Sequence, residues 1–393
     1  MTASPAASAL TARAQEVSSE IVTDILTLVR HETGSYDLPG LAAGLDLLRE
    51  VTVHRLGRPD HEHRHSGGTC GDTLTLTYTG TGPGHVALVG HYDTVWPTGT
   101  LAGWQQPEPD GDGRGKLSGP GIFDMKTGLA QGVWALRLAR ESGAPVPTVT
   151  FLFNGDEEIG SLSSRPVIEE VAQKADVTLV LEPTAHGAVK TARKGSGIFR
   201  VTATGVEAHA GLAPQDGANA ISALSEFVVA AAAVAAPERG TTVNTGLIRG
   251  GSATNVVAGR ATATIDIRVG VESEQDRVDA EFDAIRVSDP RVRIEVDHAW
   301  NRPPMTLNAA SAPLLDLARE VAREQGRDLA DAAVGGASDA NFVAALGLPV
   351  LCGMGAVGDG AHARGEFVYP DTVPAQTALV AGLLGRLAEP LRG

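Results

Sequence analysis

Three short stretches of the chain, VALVG at 86–90, TVTFLF at 148–153 and VTLVL at 177–181, are almost unbroken runs of aliphatic and β-branched residues. A half-exposed strand alternates, whereas a strand covered on both faces does not, so these runs predict parallel strands beneath helices. The segments between them supply the cover. Within 126–142, Leu129, Val133 and Leu136 recur at helical spacing, and 164–175 predicts a second, shorter helix. Strands and helices in alternation make an α/β layer structure.

From about Gly197 the period changes. In GIFRVTATG, Phe199, Val201 and Ala203 alternate with polar neighbours, and in RATATIDIR so do Ala261, Ala263, Ile265 and Ile267. That alternation belongs to half-exposed antiparallel strands. Between them, 217–236 carries Ile221, Leu224 and Val228 at helical spacing, a helix to cover one sheet face. Beyond Pro304 the pattern returns to helix (309–325), a short helix (338–346), a buried strand in LPVLCG and a last helix (371–387). The predicted organisation is a mainly parallel α/β catalytic domain in two parts, 1–194 and 305–393, split by an inserted α+β antiparallel-sheet domain at 195–304.

Composition narrows the function classes. A chain of 393 residues with 42% hydrophobic and 20% charged residues is an ordinary globular protein with room for two domains. Its formal net charge of -15 argues against nucleic acid or an anionic membrane as partner and leaves many carboxylates for cations. Cys70 and Cys352 are too few for a disulfide framework and fit a reducing compartment. The opening MTASPAASALTARAQEV lacks the basic and apolar blocks of a signal peptide, and its first ten residues are expected to be loose. No run approaches the roughly 18 apolar residues of a spanning helix. A cytoplasmic enzyme is the expectation.

Five places end a strand or open a loop with residues that ligate metals: GHYDT (His91, Asp93), GIFDMK (Asp124), GDEEIG (Asp156, Glu157, Glu158), LEPT (Glu182) and GDGAHA (Asp359, His362). In open α/β sheets, loops converge at the carboxyl ends of the strands, where ligands bind. His91 offers a neutral nitrogen, and Asp93, two positions on, can hold the other ring N–H. Asp124 can bridge two cations with its two oxygens, or cap the helix that follows. Glu157 and Glu158, adjacent in an extended segment, point apart, so one can bind metal while the other moves a proton. Two histidines and three carboxylates suit a pair of zinc ions, or cobalt or manganese, better than a thiolate site would. Such pairs serve hydrolysis of amides or esters.

Other tempting stretches take plainer readings. HEHRH (61–65) lies between the strand-like VTVHRL and TLTLTYT and reads as a solvated loop. DGDGRG (110–115) opens like a calcium loop but has Gly121 where the twelfth-position glutamate belongs. GTGPGH (80–85) is a turn with no helix after it, hence no phosphate loop.

Taken in order from about residue 15 to the C-terminus, GHYDTVWPTGT, GPGIFDMKTG, FNGDEEIGS, LEPT, AHAGLAP, GGASDANF and GAHARGE form a recognisable set. It resembles the two-metal aminoacylase, desuccinylase and carboxypeptidase family, most closely its bacterial glutamate carboxypeptidase branch. Seven ordered motifs make the resemblance specific for the family and much less so for substrate. It implies a zinc-peptidase-like catalytic domain holding two Zn2+ per subunit, with Co2+ or Mn2+ as substitutes, and an inserted domain through which a homodimer forms. By position, His91, Asp124 and Glu182 would hold one ion and Asp124, Glu158 and His362 the other. Glu157 matches the general base, Asp93 the carboxylate that orients the histidine, and His209 a histidine that reaches across the dimer to steady an oxyanion. Arg268 and Arg302 match carboxylate-recognising arginines, Asn255 a polar partner, and Lys190 follows LEPT at the same offset. Surface charge is the alternative reading of Arg302 and Lys190.

Glutamate rather than aspartate at position 182 favours the carboxypeptidase and acylase branches over the aminopeptidases. Met125 departs from the pattern, which has a second aspartate directly after the bridging one. The expected activity is cleavage of the amide bond to a C-terminal, glutamate-like amino acid in an N-acyl or peptidyl substrate. The alternatives are an N-acyl-amino-acid deacylase, a dipeptidase, and, outside the enzymes, a catalytically silent metal-binding dimer.

Overall fold

The three apolar runs lie side by side. In the computed structural model, which describes residues 5–111 and 113–391, they form β3 (His85–His91), β5 (Thr148–Gly155) and β6 (Val177–Val180), with β3 parallel to both neighbours. β6 is buried throughout, and β3 and β5 are buried after their first residue. The eight-stranded sheet has the order β1-β2-β5-β3-β6-β14-β7-β13. Here β14 (Val350–Cys352) extends the parallel centre, and β1 (His61–His65) and β2 (Gly71–Tyr78) form an antiparallel edge. On the other side β7 (Val189–Arg193) pairs antiparallel with β14, and β13 (Asp331–Val334) ends the sheet. The fold is α/β, with a mixed sheet that is parallel where it is most buried.

Ten helices are described: α1 (Pro5–Glu16), α2 (Ser18–Arg30), α3 (Leu38–Leu56), α4 (Thr127–Glu141), α5 (Arg165–Lys174), α6 (Ala220–Ala232), α7 (Ser273–Ala284), α8 (Ala312–Glu324), α9 (Ala340–Ala345) and α10 (Val373–Arg386). α3 and α4 pack on the sheet with α2 and α10 against α4, while α5 packs on β3 and β5 and touches α9. Trp134 of α4 is wholly buried; its indole N–H donates to Asp24 (2.7 Å), whose carboxylate also takes a two-pronged bond from Arg55 (2.7 and 3.0 Å). That network ties α2, α3 and α4 together with its buried charge paired. Gly128, in the first turn of α4, is needed for contact: a Cβ there would stand 1.9 Å from the Leu181 carbonyl. The close approach fixes the start of α4 against the end of β6.

The chain divides into two units. One takes residues up to Ala192, Leu307–Val334 and everything from Ser338; the other takes Arg193–Thr306 with Gly335–Ala337. The first also holds a small sheet of β15 (Gly358–Asp359), β16 (Phe367–Val368) and β4 (Leu117–Ser118). The second is built on an antiparallel sheet ordered β11-β8-β10-β9, from β8 (Gly195–Thr204), β9 (Thr242–Gly250), β10 (Arg260–Val269) and β11 (Arg293–Asp297), with β12 (Trp300–Arg302) also on β8. The alternating residues Phe199, Val201, Ala203, Ile265 and Ile267 form its core with Leu224, Phe227, Val278 and Phe282 of α6 and α7. Among the described residues no helix is long and apolar enough to cross a membrane.

Three local expectations are corrected. VTVHRL is the end of α3, because Leu41, Leu45 and Leu48 carry a helical face whose burial overrides the short β-like alternation. HEHRH is not a loop but the exposed edge strand β1, in full register with β2, its Glu62 paired to Arg49 (2.5 Å) and Arg64 to Asp46 (2.7 Å). Main-chain pairing needs no apolar side chain, and a charged edge discourages further strands. The expected loose start is helical from Pro5 onward, residues 1–4 lying outside the described residues. DGDGRG includes Asp112, also outside them; Asp110 bonds the Tyr369 hydroxyl (2.6 Å) and pairs with Lys116.

In the second unit Glu274 is buried and bound by Arg277, with Thr241 and Arg239 adding to the network. Arg277 above all holds the Glu274 carboxyl down at about 2, against an ordinary 4.5. A carboxylate lowered on folding stabilises above its unfolded pKa and loses that contribution as pH falls through the folded one. Glu274→Gln is therefore expected to lower the melting temperature at pH 7 and to narrow its gap from wild type as pH drops from 4.5 towards 2, read by thermal unfolding monitored by circular dichroism. An equal gap at pH 7 and pH 2.5 would refute the assignment.

Candidate metal centre

His91 is the last residue of β3, Glu157 and Glu158 open a 3-10 turn just past β5, and Glu182 stands two residues past β6. Parallel strands send these ends to one edge, which gathers the side chains. Asp124 arrives from a π-type turn, Ile122–Lys126, whose backbone leaves helical geometry at Asp124 and Met125; the peptide between them is cis. His362 comes from the loop between β15 and β16, at a positive φ of 62°.

Two groups of donor atoms result. His91, Asp124 and Glu182 lie within 4.8 Å of one another, and so do Asp124, Glu158 and His362, so Asp124 belongs to both. His91 Nε2 is 3.2 Å from Asp124 Oδ1 and 3.8 Å from Glu182 Oε1, while His362 Nε2 is 3.0 Å from Glu158 Oε2 and 3.5 Å from Asp124 Oδ2. Donors bound to one ion at 2.0–2.2 Å in a tetrahedron stand roughly 3.3–3.6 Å apart. The separations therefore suit shared cations, one on each side of Asp124. The donor set is all nitrogen and carboxylate oxygen, which fits zinc, cobalt or manganese. Glu158 Oε1 is buried without a hydrogen-bond partner, as an oxygen kept for a cation would be.

The electrostatics point the same way. Asp124 and Glu158 hydrogen bonds raise His362 to about 11. Burial pushes the Glu158 carboxyl up to about 7, against the pull of His362. Burial also opposes a charge on His91, yet its bonds to Asp124 and Asp93 raise it well above the ordinary value. For Asp124 burial acts upward, and its bonds to His362 and His91 outweigh it, holding the carboxyl well below the usual range. Carboxylates outnumber the imidazoles that face them, and two divalent cations would balance the excess.

Asp93 does more than the sequence suggested. His91 Nδ1 lies 3.1 Å from the Asp93 main-chain carbonyl and 3.5 Å from its carboxylate, so the carbonyl is the nearer acceptor and leaves Nε2 for a metal. The Asp93 carboxylate accepts the backbone N–H of Glu157 (3.2 Å) and of Glu158 (3.2 Å), and the Ser35 hydroxyl (2.8 Å). It orients the glutamate pair as well as the histidine. Those glutamates diverge because they follow each other in a helical turn, not in the extended segment that was expected. Glu157 is buried and falls in neither donor group. Asp124 is no helix cap: α4 begins at Thr127 without a side-chain cap, and the carboxylate faces both histidines.

Lys190 Nζ lies 3.9 Å from Glu182 Oε2. The remaining candidates belong to the second unit. There His209 is exposed, and its Nδ1 accepts the N–H of Gly211 and of Leu212 (both 3.1 Å), which leaves the ring proton on Nε2. Ala210 N–H donates to the Asn255 carbonyl (2.9 Å), so His209 and Asn255 sit on paired segments. Arg268 is held by Asp266 through two bonds of 2.9 Å, and Arg302 is buried on β12.

Two residues escaped the sequence reading. Glu366 is fully buried and accepts from the N–H of Gly121 (3.1 Å), Phe123 (2.8 Å) and Asp124 (3.0 Å) and from the Trp96 indole (3.0 Å). It anchors the turn that presents Asp124, and its only sequence signal is its place in GAHARGE, four residues after His362. Asp339, in GGASDANF, bonds Ser161 and Asn154 (2.9 Å) and so braces the end of β5. Asp156, which had no assignment, accepts from Ser163 N–H (2.7 Å) and Oγ (2.9 Å) and ties down the following loop.

The chain is similar to several known proteins. The model of Peptidase family M20/M25/M40 matches residues 87–386. Carboxypeptidase G2 of a Pseudomonas species is 32% identical over 372 residues, covering 93% of this chain and 88% of that protein. A succinyl-diaminopimelate desuccinylase of a Bradyrhizobium species is 28% identical over 386 residues, covering 93% and 99%. Among solved structures, aminopeptidase PepT from Bacillus cereus superimposes with a TM-score of 0.75 at 22% identity, covering 95% of this chain and 99% of that one.

Because Glu366 positions Asp124 through three main-chain bonds, Glu366→Gln, which turns one acceptor into a clashing donor, is expected to weaken metal binding about 10- to 100-fold without unfolding the protein. Competition with a chelating indicator measures the affinity and circular dichroism the fold; wild-type affinity in the variant would count against the anchor.

Proposed function

This chain belongs to Peptidase family M20/M25/M40, a family of metal-dependent amide hydrolases, and we propose that within it the protein is a di-zinc amidohydrolase releasing a C-terminal, glutamate-like amino acid from N-acyl or short peptidyl substrates. The observation that carries the reading is the pair of donor groups sharing Asp124 with a buried glutamate, Glu157, beside them that neither group uses. A merely structural metal site has no need of such a residue. The 32% identity to carboxypeptidase G2 supports the carboxypeptidase direction.

His91, Asp124, Glu158, Glu182 and His362 would hold the ions, which when bound lower the pKa of water and polarise the scissile carbonyl. Glu157 takes the proton from the attacking water and passes it to the leaving amine nitrogen, so that a neutral amine departs. Asp93 fixes the backbone from which Glu157 reaches in. His209, with its proton on Nε2, is suited to donate across the dimer to the oxyanion developing in the neighbouring subunit's site. We assign Arg302, Lys190 and Asn255 to substrate binding, and Arg268 if Asp266 releases it.

A homodimer formed through the second unit belongs to the same reading. β9 is an edge strand, exposed through its last five residues, with Leu247 57% and Ile248 54% exposed. On α6 of the same unit Val229 is 74% exposed. An uncovered strand edge bearing large apolar side chains is where a second copy would add. Leu247→Lys with Ile248→Lys is expected to shift sedimentation from dimer to monomer; a wild type that sediments as a monomer at micromolar concentration would remove the dimer.

Identity to the desuccinylase and the engagement of Arg268 by Asp266 favour, as a second reading, a deacylase indifferent to the C-terminal residue. Zinc-loaded enzyme assayed on N-acyl amino acids, varied separately in acyl group and amino acid, separates the two: preference for glutamate or aspartate supports the carboxypeptidase. Glu157→Gln is expected to keep both metals and lose turnover by several orders of magnitude. Unchanged turnover would end the general-base assignment, and absence of turnover in the metal-loaded wild type would favour a silent binding protein.

A further inference from the structure

The loop between β15 and β16 carries three polar side chains at alternate positions. The turn is tight, with Ala363 N–H on the Gly360 carbonyl (2.8 Å) and Glu366 N–H on the Ala363 carbonyl (2.9 Å). His362 belongs to a donor group with Asp124 and Glu158, and Glu366 anchors the Asp124 turn. Arg364 stands between them and is exposed. Its guanidinium carbon lies 5.9 Å from the centre of the Trp96 ring. Trp96 is itself fixed, by its bond to Glu366 (3.0 Å) and by an edge contact with Trp104 at 5.0 Å. The guanidinium therefore lies near an indole bonded to Glu366, the carboxylate that also accepts the Asp124 N–H.

Neighbouring cations are engaged. In the segment that leads into β4, Arg114 pairs with Asp371 (2.9 Å) and Lys116 with Asp110. Arg364 has no ion-pair partner among the described residues, although the chain carries a net charge of -15. Contact with a ring uses the face of a guanidinium and leaves its planar N–H edge, which matches a carboxylate in two-pronged fashion.

We propose that Arg364 is a substrate-binding residue of this centre: its guanidinium receives the free carboxylate of the N-acyl amino acid or short peptide whose amide bond is cut. The assignment rests on the amidohydrolase reading for the identity of the substrate, and on the loop geometry for the site. It makes one loop responsible for a metal ligand, a carboxylate receptor and the anchor of the bridging aspartate. The substrate's charge would then be met two residues along the chain from His362, and selectivity for a free carboxylate would follow.

The test uses zinc-loaded wild type, Arg364→Met and Arg364→Lys, with metal content measured in each. On an N-acyl glutamate, Arg364→Met is expected to raise KM about 10- to 100-fold with a smaller change in kcat, and Arg364→Lys to recover part of the loss. With the α-carboxylate capped as an amide the two enzymes should have similar KM. An unchanged KM on the uncapped substrate, or an equal rise on both, overturns the assignment. Calorimetric titration of L-glutamate is independent of turnover: binding at least fivefold weaker in Arg364→Met supports it, while equal binding, or none to wild type, overturns it. Failure of wild type to cleave any N-acyl amino acid, with weakened glutamate binding in Arg364→Met, would sink the amidohydrolase reading and leave the receptor standing.

Discussion

Asp93, Asp124, Glu157, Glu158 and Glu182 are five carboxylates brought to one end of a buried sheet, and their mutual repulsion is the constraint that the surrounding structure answers. A carboxylate removed from water costs several kcal/mol unless something positive or hydrogen-bonding meets it. The protein answers in two ways. Asp93 is satisfied by main-chain N–H groups and a serine hydroxyl. Asp124, Glu158 and Glu182 face imidazoles and one another, an arrangement that invites cations.

Main-chain donors set the geometry as much as the ligands do. Glu366 gathers three N–H groups of the turn that carries Asp124, and Asp93 gathers those of the glutamate pair. In each case a buried acid that need not touch a metal shapes the backbone from which a ligand projects. Charge-assisted bonds of this kind are stronger than neutral ones. They let loops hold positions that strands hold elsewhere, and they explain why irregular segments can present Asp124 and the glutamates in fixed places.

The second unit shows the same economy on a simpler scaffold. Its sheet buries one face under α6 and α7, and the buried Glu274 network secures α7 to the start of β9. The other features of that unit, an exposed His209 with its tautomer set by two backbone N–H groups and an uncovered edge at β9, lie on its surface.

The sequence by itself determined the α/β class, the parallel strands, the antiparallel second unit and the residue types at the strand ends, because burial on one face or two leaves a period that can be read directly. It named His91, Asp124, Glu158, Glu182 and His362 through ordered motifs. It misread VTVHRL and HEHRH, where packing of α3 and main-chain pairing with β2 overrode the local pattern. Only the tertiary structure decided what Asp93, Asp156, Asp339 and Glu366 do, since their partners are backbone N–H groups and side chains up to 270 residues away. It likewise decided that Arg268 is paired while Arg364 has no ion-pair partner among the described residues, because a charge's availability depends on what folds beside it. Periodicity records which side of an element is buried; it carries no record of which distant donor meets which acid.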